Sequence, residues 1–246
     1  MAQESKYKAV ILAGGKGTRL YPITKEIPKP LIPVGQRPII NYLVDLFLDR
    51  GQVDEIFVLT PQAFADEFDW WKKRYYPEKN INFFAEQEPL GTFGGLWHLK
   101  EQLAGNDFFL TNGDELKEVE LKDMMSFHKE KDLAATLALV RVPNPQDYGV
   151  VLATKGIVDS FLEKPANPPT DYISSGLYVF SPEVFKYHPG PGFSMVEKDL
   201  FPKLAQEKRL AAFQFQGDWF DCGTWERYEK ALEYLKNKKV ARELGG

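Results

Sequence analysis

The stretch from Ala9 to Val34 reads AVILAGGKGTRLYPITKEIPKPLIPV, and it narrows the folds open to this chain more than any other segment. Val10, Ile11 and Leu12 form a short apolar run of the kind a buried strand needs. Gly14, Gly15 and Gly17 follow at once, with Lys16 and Arg19 set among them. Glycine lets the backbone turn tightly and come close to a ligand. Amide N–H groups that converge in such a loop make a concave anion site. Arg19 can grip phosphate oxygens in a bidentate manner, and Lys16 adds a mobile positive charge. Lys29 lies between Pro28 and Pro30, whose rings restrict the backbone and aim the lysine. A strand, a glycine loop and three cations in this order suit the polyphosphate of a nucleotide. Taken alone, the glycines fit a plain tight turn equally well.

Two familiar nucleotide motifs do not match the loop. Leu20 stands where the dinucleotide fingerprint needs its third glycine, and no GK[ST] follows four residues after a glycine. The full string GGKGTRL, then the Pro22-Ile23-Thr24 turn, then KPLIPV resembles the signature of the sugar-1-phosphate nucleotidylyltransferases. That match spans about two dozen positions, far more than a glycine count.

Composition is in keeping with that resemblance. At 246 residues the chain can bury a sizeable core, and 43% hydrophobic with 27% charged residues is ordinary for an α/β enzyme. The formal charge of −4 gives no general attraction for nucleic acid, so a phosphate site has to be a local pocket. The one cysteine, Cys222, excludes an intrachain disulfide and fits a reducing cytoplasm. The start, MAQESKYK, lacks the apolar core of a secretory signal. No run approaches the ~20 apolar residues of a membrane span, so no membrane partner is expected.

Alternating apolar runs and amphipathic stretches organise the first half. Residues 38–50 read as a helix with Gly51 as its stop, 55–60 as a strand, 63–75 as a helix, 81–85 as a strand, 92–103 as a helix and 107–110 as a strand. Phe64, Phe68 and Trp71 share one face of the second helix and read as core. This alternation implies a largely parallel sheet with helices on both faces. After residue 131 the links shorten, and 134–142, 149–153, 157–162 and 175–180 read as strands. Residues 195–208 read as a helix, 210–215 as a strand, and 224–237 as a helix that Thr224 can cap. The expected organisation is one domain over 1–246, with lobes at 1–131 and 132–246.

Three further constellations carry chemistry. Glu86 to Gly95, EQEPLGTFGG, leads a polar loop into a glycine-rich helix start, with Glu86, Gln87 and Glu88 as candidate contacts to a base edge. Asp114 follows a strand in LTNGD, where open α/β folds place ligands. Asp221, in DWFDCGT, is a second acid remote in sequence; Asp218 in the same segment reads as structural. Two carboxylates facing a triphosphate suit Mg²⁺, which prefers oxygen ligands. His98, His128 and His188 lack metal spacing.

The resemblance extends through Glu86–Gly95, the acid segments, Tyr148-Gly149-Val150-Val151, Glu163-Lys164-Pro165 and Ser174–Tyr178, in the family's order. Phe93 replaces the family's usual alanine, and Ser174 stands where mannose-type enzymes carry asparagine. The resemblance implies a Rossmann-like, three-layer α/β fold with a mixed, mostly parallel sheet. It implies an NTP and a sugar 1-phosphate as substrates, an NDP-sugar and pyrophosphate as products, and Mg²⁺ as cofactor. GTP with mannose 1-phosphate or a heptose 1-phosphate comes first. UTP or dTTP with glucose 1-phosphate or an amino-sugar phosphate, or a non-catalytic NDP-sugar-binding paralogue, are the alternatives. By position, nucleotide contacts fall to Leu12, Ala13, Gly14, Gly15, Gly17, Thr18, Glu86, Gly91 and Thr92. Catalytic roles fall to Arg19, Lys29 and Asp114, and the metal to Asp114 and Asp221. Sugar phosphate contacts fall to Asn112, Gly149, Glu163, Lys164 and Ser175. Many relatives carry a C-terminal β-helix; none is expected here, and a monomer or homodimer is expected.

Overall fold

The computed structural model describes residues 6–50 and 53–244. The helix stop expected at Gly51 lies outside them. β1 (Tyr7–Leu12) leads into the glycine loop; the short β2 (Pro33–Val34) and β3 (Arg37–Pro38) pair before α1 (Ile39–Arg50). Then come β4 (Val53–Pro61), α2 (Ala65–Tyr75), β5 (Ile81–Glu86), α3 (Gly91–Gly94), α4 (Lys100–Leu103), β6 (Phe108–Asn112), β7 (Glu115–Lys117) and α5 (Leu121–Lys131). The second half holds β8 (Ala135–Arg141), β9 (Gly149–Thr154), β10 (Ile157–Glu163), β11 (Tyr172–Phe180), α6 (Phe201–Gln206), β12 (Leu210–Gln214), β13 (Trp219–Asp221) and α7 (Trp225–Leu244).

Among the described residues nine strands form one sheet in the order β5-β4-β1-β6-β11-β8-β12-β10-β9. The β5-β4-β1-β6 half is parallel throughout, because each link crosses over through a helix. The other half is mixed. β11 runs antiparallel to β6 and β8, and β10 to β9 and β12, while β12 is parallel to β8. Short links such as Lys155-Gly156 return the chain directly and force antiparallel neighbours there. Among the described residues seven of these nine strands run one way and β10 and β11 oppose them, so the sheet is mixed and mostly parallel, as expected.

Side-chain alternation makes the three layers. On β1, Ala9 and Ile11 face α1, α2 and α5 with Phe47, Trp71 and Met124, whereas Val10 faces α3, α4 and α6 with Phe93, Leu103 and Phe201. Burial on both faces explains the unbroken apolar runs that mark the parallel strands. Helix α1 buries Ile39, Ile40, Leu43, Val44 and Phe47 completely or nearly so. At roughly 1.5–3 kcal/mol for each such side chain, burial outweighs the weak helix propensity of its β-branched residues. Trp71 is 1% exposed, and its Nε1–H donates to Asn41 Oδ1 at 2.7 Å, so the aromatic stripe is core.

A third apolar cluster positions the site. Ala231 and its neighbours on α7 pack against Leu20, Ile32, Val34 and Cys222, and the Tyr228 hydroxyl donates to the Pro33 carbonyl at 2.7 Å. The last helix thus clamps both flanks of the cationic segment, 20–34, to the β7–β13 ribbon. The helix expected at 92–103 is broken into α3, a 3-10 stretch at Gly95–Leu99 and α4. The one expected at 195–208 begins as a single π turn, Val196–Leu200, before α6. Such irregular turns re-aim side chains and are frequent at functional sites. Among the described residues no helix is long and apolar enough to cross a membrane.

Candidate active site

Leu12 and Asn112 are register partners at the ends of the parallel strands β1 and β6, so both deliver their following loops to one edge of the sheet. The Gly113 N–H donates to Leu12 O at 2.9 Å and the Ala13 N–H to Leu59 O at 2.8 Å, which fixes where the loops leave. Between these loops and α3 lies a cleft of about 520 Å³. Leu12, Ala13, Gly14, Gly15, Gly17, Thr18, Arg19, Lys29, Glu86, Gly91, Thr92, Asn112 and Asp114 all line it.

The cations differ in character. Lys16 and Arg19 stand exposed on the loop, and among the described residues neither makes an ion pair. Lys29 is 8% exposed and its ammonium is ion-paired with the Asp114 carboxylate. Its lead-in, Pro28, is extended, and Lys29 opens a 3-10 turn, as the flanking prolines favour.

Glu86 ends β5 and forms one wall of the cleft, while Gln87 and Glu88 are exposed outside it. A Cβ at Gly14 or Gly95 would collide with its carboxylate, so both positions must be glycine for Glu86 to sit there. Burial pushes the Glu86 carboxyl up to about 7, and a hydrogen bond from the Leu90 backbone works against that rise. The Thr92 hydroxyl donates to Glu197 Oε2 at 2.6 Å and accepts the Val196 N–H at 3.0 Å, so it ties the 86–95 segment to the π turn. Phe93, in place of alanine, is fully buried against His188 with ring centroids 4.3 Å apart. His188 in turn donates from Nε2 to the Phe93 carbonyl at 2.9 Å and accepts the Gly190 N–H.

A second cleft of about 220 Å³ adjoins the first, and Arg19, Asn112, Asp114, Met195 and Glu197 line both. Its own walls include Gly149, Glu163, Lys164, Ser174, Trp219 and Asp221. Asp221 pairs with Glu115 across the β7–β13 ladder, and the Cys222 N–H donates to Asp114 O at 2.9 Å. The two acids, remote in sequence, therefore meet at one cleft. Asp221 accepts from the Tyr148 hydroxyl, the Gly223 N–H and Arg227, while Arg227 also reaches Asp147 at 2.6 Å. Arg19 lies against Gly223, beside Asp221. Lys164 has φ +48°, a left-handed backbone that is costly outside glycine and common at ligand sites.

Ser175 is a correction. It is fully buried, its hydroxyl donates to Ala138 O at 2.9 Å, and it does not line the cleft. Alternation along β11 sends Ser174, Gly176 and Tyr178 to the cleft and Ser175 to the opposite face. Asp218 is exposed away from both clefts, and its carbonyl accepts the Glu118 N–H at 2.8 Å.

Sequence reasoning missed several lining residues. Met195 and Glu197 sit at the junction of the clefts, and burial raises the Glu197 carboxyl. Tyr148 holds Asp221 from 73 residues away, and Arg227 bridges Asp221 to Asp147 across 80 residues, which no local pattern signals. Glu115 and Lys117 form a buried ion pair beneath Asn112. Burial raises the Glu115 carboxyl to about 7, opposed by the Lys117 ammonium. All its partners, Asn112, Lys117 and Trp219, are donors, so the hydrogen bonds support the ionised form.

The glycine loop, the cations and the paired acids at one sheet edge define a nucleotide-transferring class of protein. The chain belongs to the nucleotidyl transferase family, whose profile matches residues 8–238. It is 36% identical over 224 residues to the mannose-1-phosphate guanyltransferase of Saccharomyces cerevisiae, an alignment covering 88% of this chain and 61% of the yeast protein. The chain thus spans about three fifths of the length of the curated relatives it matches. The solved structure of HddC from Yersinia pseudotuberculosis matches with TM-score 0.80 at 30% identity, over 93% of this chain and 99% of that one; HddC has also been solved complexed with GMP-PN. A UDP-glucose pyrophosphorylase solved with UDP-glucose shares the fold at TM-score 0.81 and 24% identity, covering 95% of this chain and 100% of that one.

Proposed function

We propose that this chain joins an NTP to a sugar 1-phosphate, giving an NDP-sugar and pyrophosphate, with GTP and mannose 1-phosphate as the preferred pair. The observation that carries the reading is the junction of the two clefts: Arg19 and Asp114 line both, Lys29 lines the first with Glu86, and Asp221 lines the second with Glu163. The first lobe, 1–131, takes the nucleotide, and the second, 132–246, takes the sugar.

An oxygen of the sugar phosphate attacks the α-phosphorus in line; the new O–P bond forms as the bond to the β-phosphate oxygen breaks. That oxygen is already ionised at pH 7, so no general base is required, and catalysis is positioning and charge neutralisation. Arg19 and the loop amides, with Lys16, hold the leaving pyrophosphate. Lys29 faces the charge developing at the α-phosphorus. Lys164 and the Gly149 N–H hold the attacking phosphate and sugar, and Glu163 and Asn112 bond sugar hydroxyls.

The residues present fit Mg²⁺. Asp114 and Asp221 offer carboxylate oxygens at one cleft, and among the described residues no cluster of three or more His, Cys, Asp or Glu forms a closed cage. That suits an ion that takes its remaining ligands from phosphates and water. When bound, Mg²⁺ neutralises phosphate charge. Lys29 and Arg227, the present counter-ions of the two acids, keep the acids in place.

Guanine is favoured because Glu86 presents a carboxylate to the cleft, and guanine offers adjacent N1–H and N2–H donors to such a group. The GMP-PN complex of HddC supports the same base. Ser174 at the sugar wall supports a second reading, a bulkier heptose 1-phosphate, because serine leaves more room than asparagine. The chain acts as a monomer or homodimer, and its lone buried Cys222 suits the reducing cytoplasm. A grid of ATP, GTP, CTP, UTP and dTTP against mannose, glucose and heptose 1-phosphates, scored by released pyrophosphate, tests the reading. Release with no pair would overturn it.

A further inference from the structure

A buried polar network centred on Lys117 supports the wall of the second cleft, reaching it through Asn112, Glu115 and Trp219. The Lys117 side chain is fully buried and its ammonium directs three hydrogen bonds, to Glu115 Oε2 at 2.6 Å, Thr111 Oγ1 at 2.9 Å and Ser175 O at 2.9 Å. All three of its donors are therefore satisfied. Glu115 Oε2 also faces the Trp219 Nε1–H at 3.4 Å, an indole that donates to Ser175 O at 3.1 Å as well. The other carboxylate oxygen, Oε1, accepts the Asn112 Nδ2–H at 3.0 Å. Gly176 makes this possible: at φ +64°, a Cβ there would overlap both the Asn112 amide nitrogen and the Glu115 carboxylate.

A buried ion pair is a weak source of stability, since apolar replacements of similar volume are often as stable. What it does well is fix geometry. A carboxylate only accepts, so the Asn112 end facing Glu115 must be its NH₂. The amide oxygen, Oδ1, is then the end left over, and Asn112 lines both clefts.

We propose that the Glu115–Lys117 pair is a positioning device that locks the Asn112 amide with its oxygen toward the substrate, so that Asn112 accepts a hydrogen bond from one sugar hydroxyl and selects for a donor there. This rests on the sugar 1-phosphate reading above. Glu115 reaches the wall of the second cleft, but both of its carboxylate oxygens are taken by Asn112, Lys117 and Trp219, and Lys117 lines neither cleft; the pair acts through Asn112. Lys117 and Trp219 dictate what a glutamine at position 115 would do. Both are donors that need an acceptor, so the glutamine oxygen turns to them and its NH₂ faces Asn112. Asn112 then flips, offering its oxygen inward and its NH₂ to the sugar.

The test uses the full chain, GTP and a panel of mannose 1-phosphates in which each ring hydroxyl in turn is replaced by fluorine, which cannot donate. In the wild type, one position should lose on the order of 10- to 100-fold in kcat/KM, the effect of leaving the Asn112 acceptor unpaired. In Glu115→Gln that penalty should shrink to within about threefold, while penalties at the other positions stay as they were. Fluorine's electronic effect on the reacting phosphate is common to both proteins and cancels in the comparison. If Glu115→Gln does not fold, the double variant Glu115→Met, Lys117→Met removes the pair with apolar groups of similar size, and the same penalty should collapse. A folded variant that keeps the wild-type pattern overturns the proposal and leaves the reaction intact. A wild type inactive with every sugar phosphate overturns the underlying function, and this inference with it.

Discussion

The Lys29 ammonium is ion-paired with the Asp114 carboxylate, joining the proline-flanked segment to the end of the β6 loop across 85 residues. The Lys29 side chain is 10% exposed and that of Asp114 29%. Asp114 lines both clefts and Lys29 the first, so the pair is a structural tie at the place proposed for phosphate. Lys29→Gln keeps a polar side chain, one atom shorter, and removes the charge. Its kcat for pyrophosphate release should fall on the order of 10²-fold or more, the usual effect of losing a preorganised electrostatic group. A stopped assay at saturating GTP and sugar phosphate reads this directly.

Arg19 offers a cleaner separation of stability from function. It is exposed and among the described residues unpaired, so Arg19→Gln should shift folding stability by no more than about 0.5 kcal/mol. The same variant should lose about 10²-fold in kcat if Arg19 holds the leaving group. Urea denaturation alongside turnover checks both halves. A residue with a purely structural part would show the opposite split.

If Glu86 reads the base as proposed, nucleotide binding depends on pH. Its carboxyl is pushed up to about 7 by burial, and only the ionised form accepts from both guanine donors. As pH falls from 8 to 6 the ionised fraction drops about tenfold, and affinity for GDP-mannose should drop with it. That product has no phosphate titrating in this range. Glu86→Gln should bind more weakly at pH 8 but with no such slope. For folding the sign is reversed: between the ordinary 4.5 and about 7 the folded chain holds a proton the unfolded chain has released. Stability therefore falls as pH rises through that window, and Glu86→Gln should lack this contribution. Calorimetric titration and thermal melts across pH 5–8 measure the two.

Trp71 tests the core rather than the site. Trp71→Phe keeps most of the apolar contact but leaves Asn41 Oδ1 buried without its 2.7 Å donor. The expected cost is about 1–3 kcal/mol, with turnover unchanged. Guanidinium denaturation reads it.

Much of the fold and site was legible because local chemistry announced it. The strand, glycine loop and proline-flanked Lys29 lie in one segment, so their place along one cleft follows from consecutive residues. The parallel half was readable from helix-strand alternation, and Trp71 from its helical spacing. Helix α5 was overlooked although Leu121, Met124, Met125 and His128 fall at helical spacing and are buried. The three-residue strands β7 and β13 are too short for any period to emerge, yet they bring Asp114 and Asp221 together. The break in 92–103 comes from close packing: Gly94 against Gly192 and Gly95 against Glu86. The choice between Ser174 and Ser175 rests on strand phase, which composition does not reveal. The Asp221 contacts with Tyr148 and Arg227 come from tertiary packing alone.

The most direct measurement is the turnover of Asp114→Asn, with GTP, mannose 1-phosphate and Mg²⁺ at saturation, in a preparation whose thermal melt shows a folded chain. If two acids and the loop cations surround one triphosphate, kcat for pyrophosphate release should fall by about 10²-fold or more. Wild-type turnover in that variant would contradict the catalytic arrangement and leave only the architecture standing.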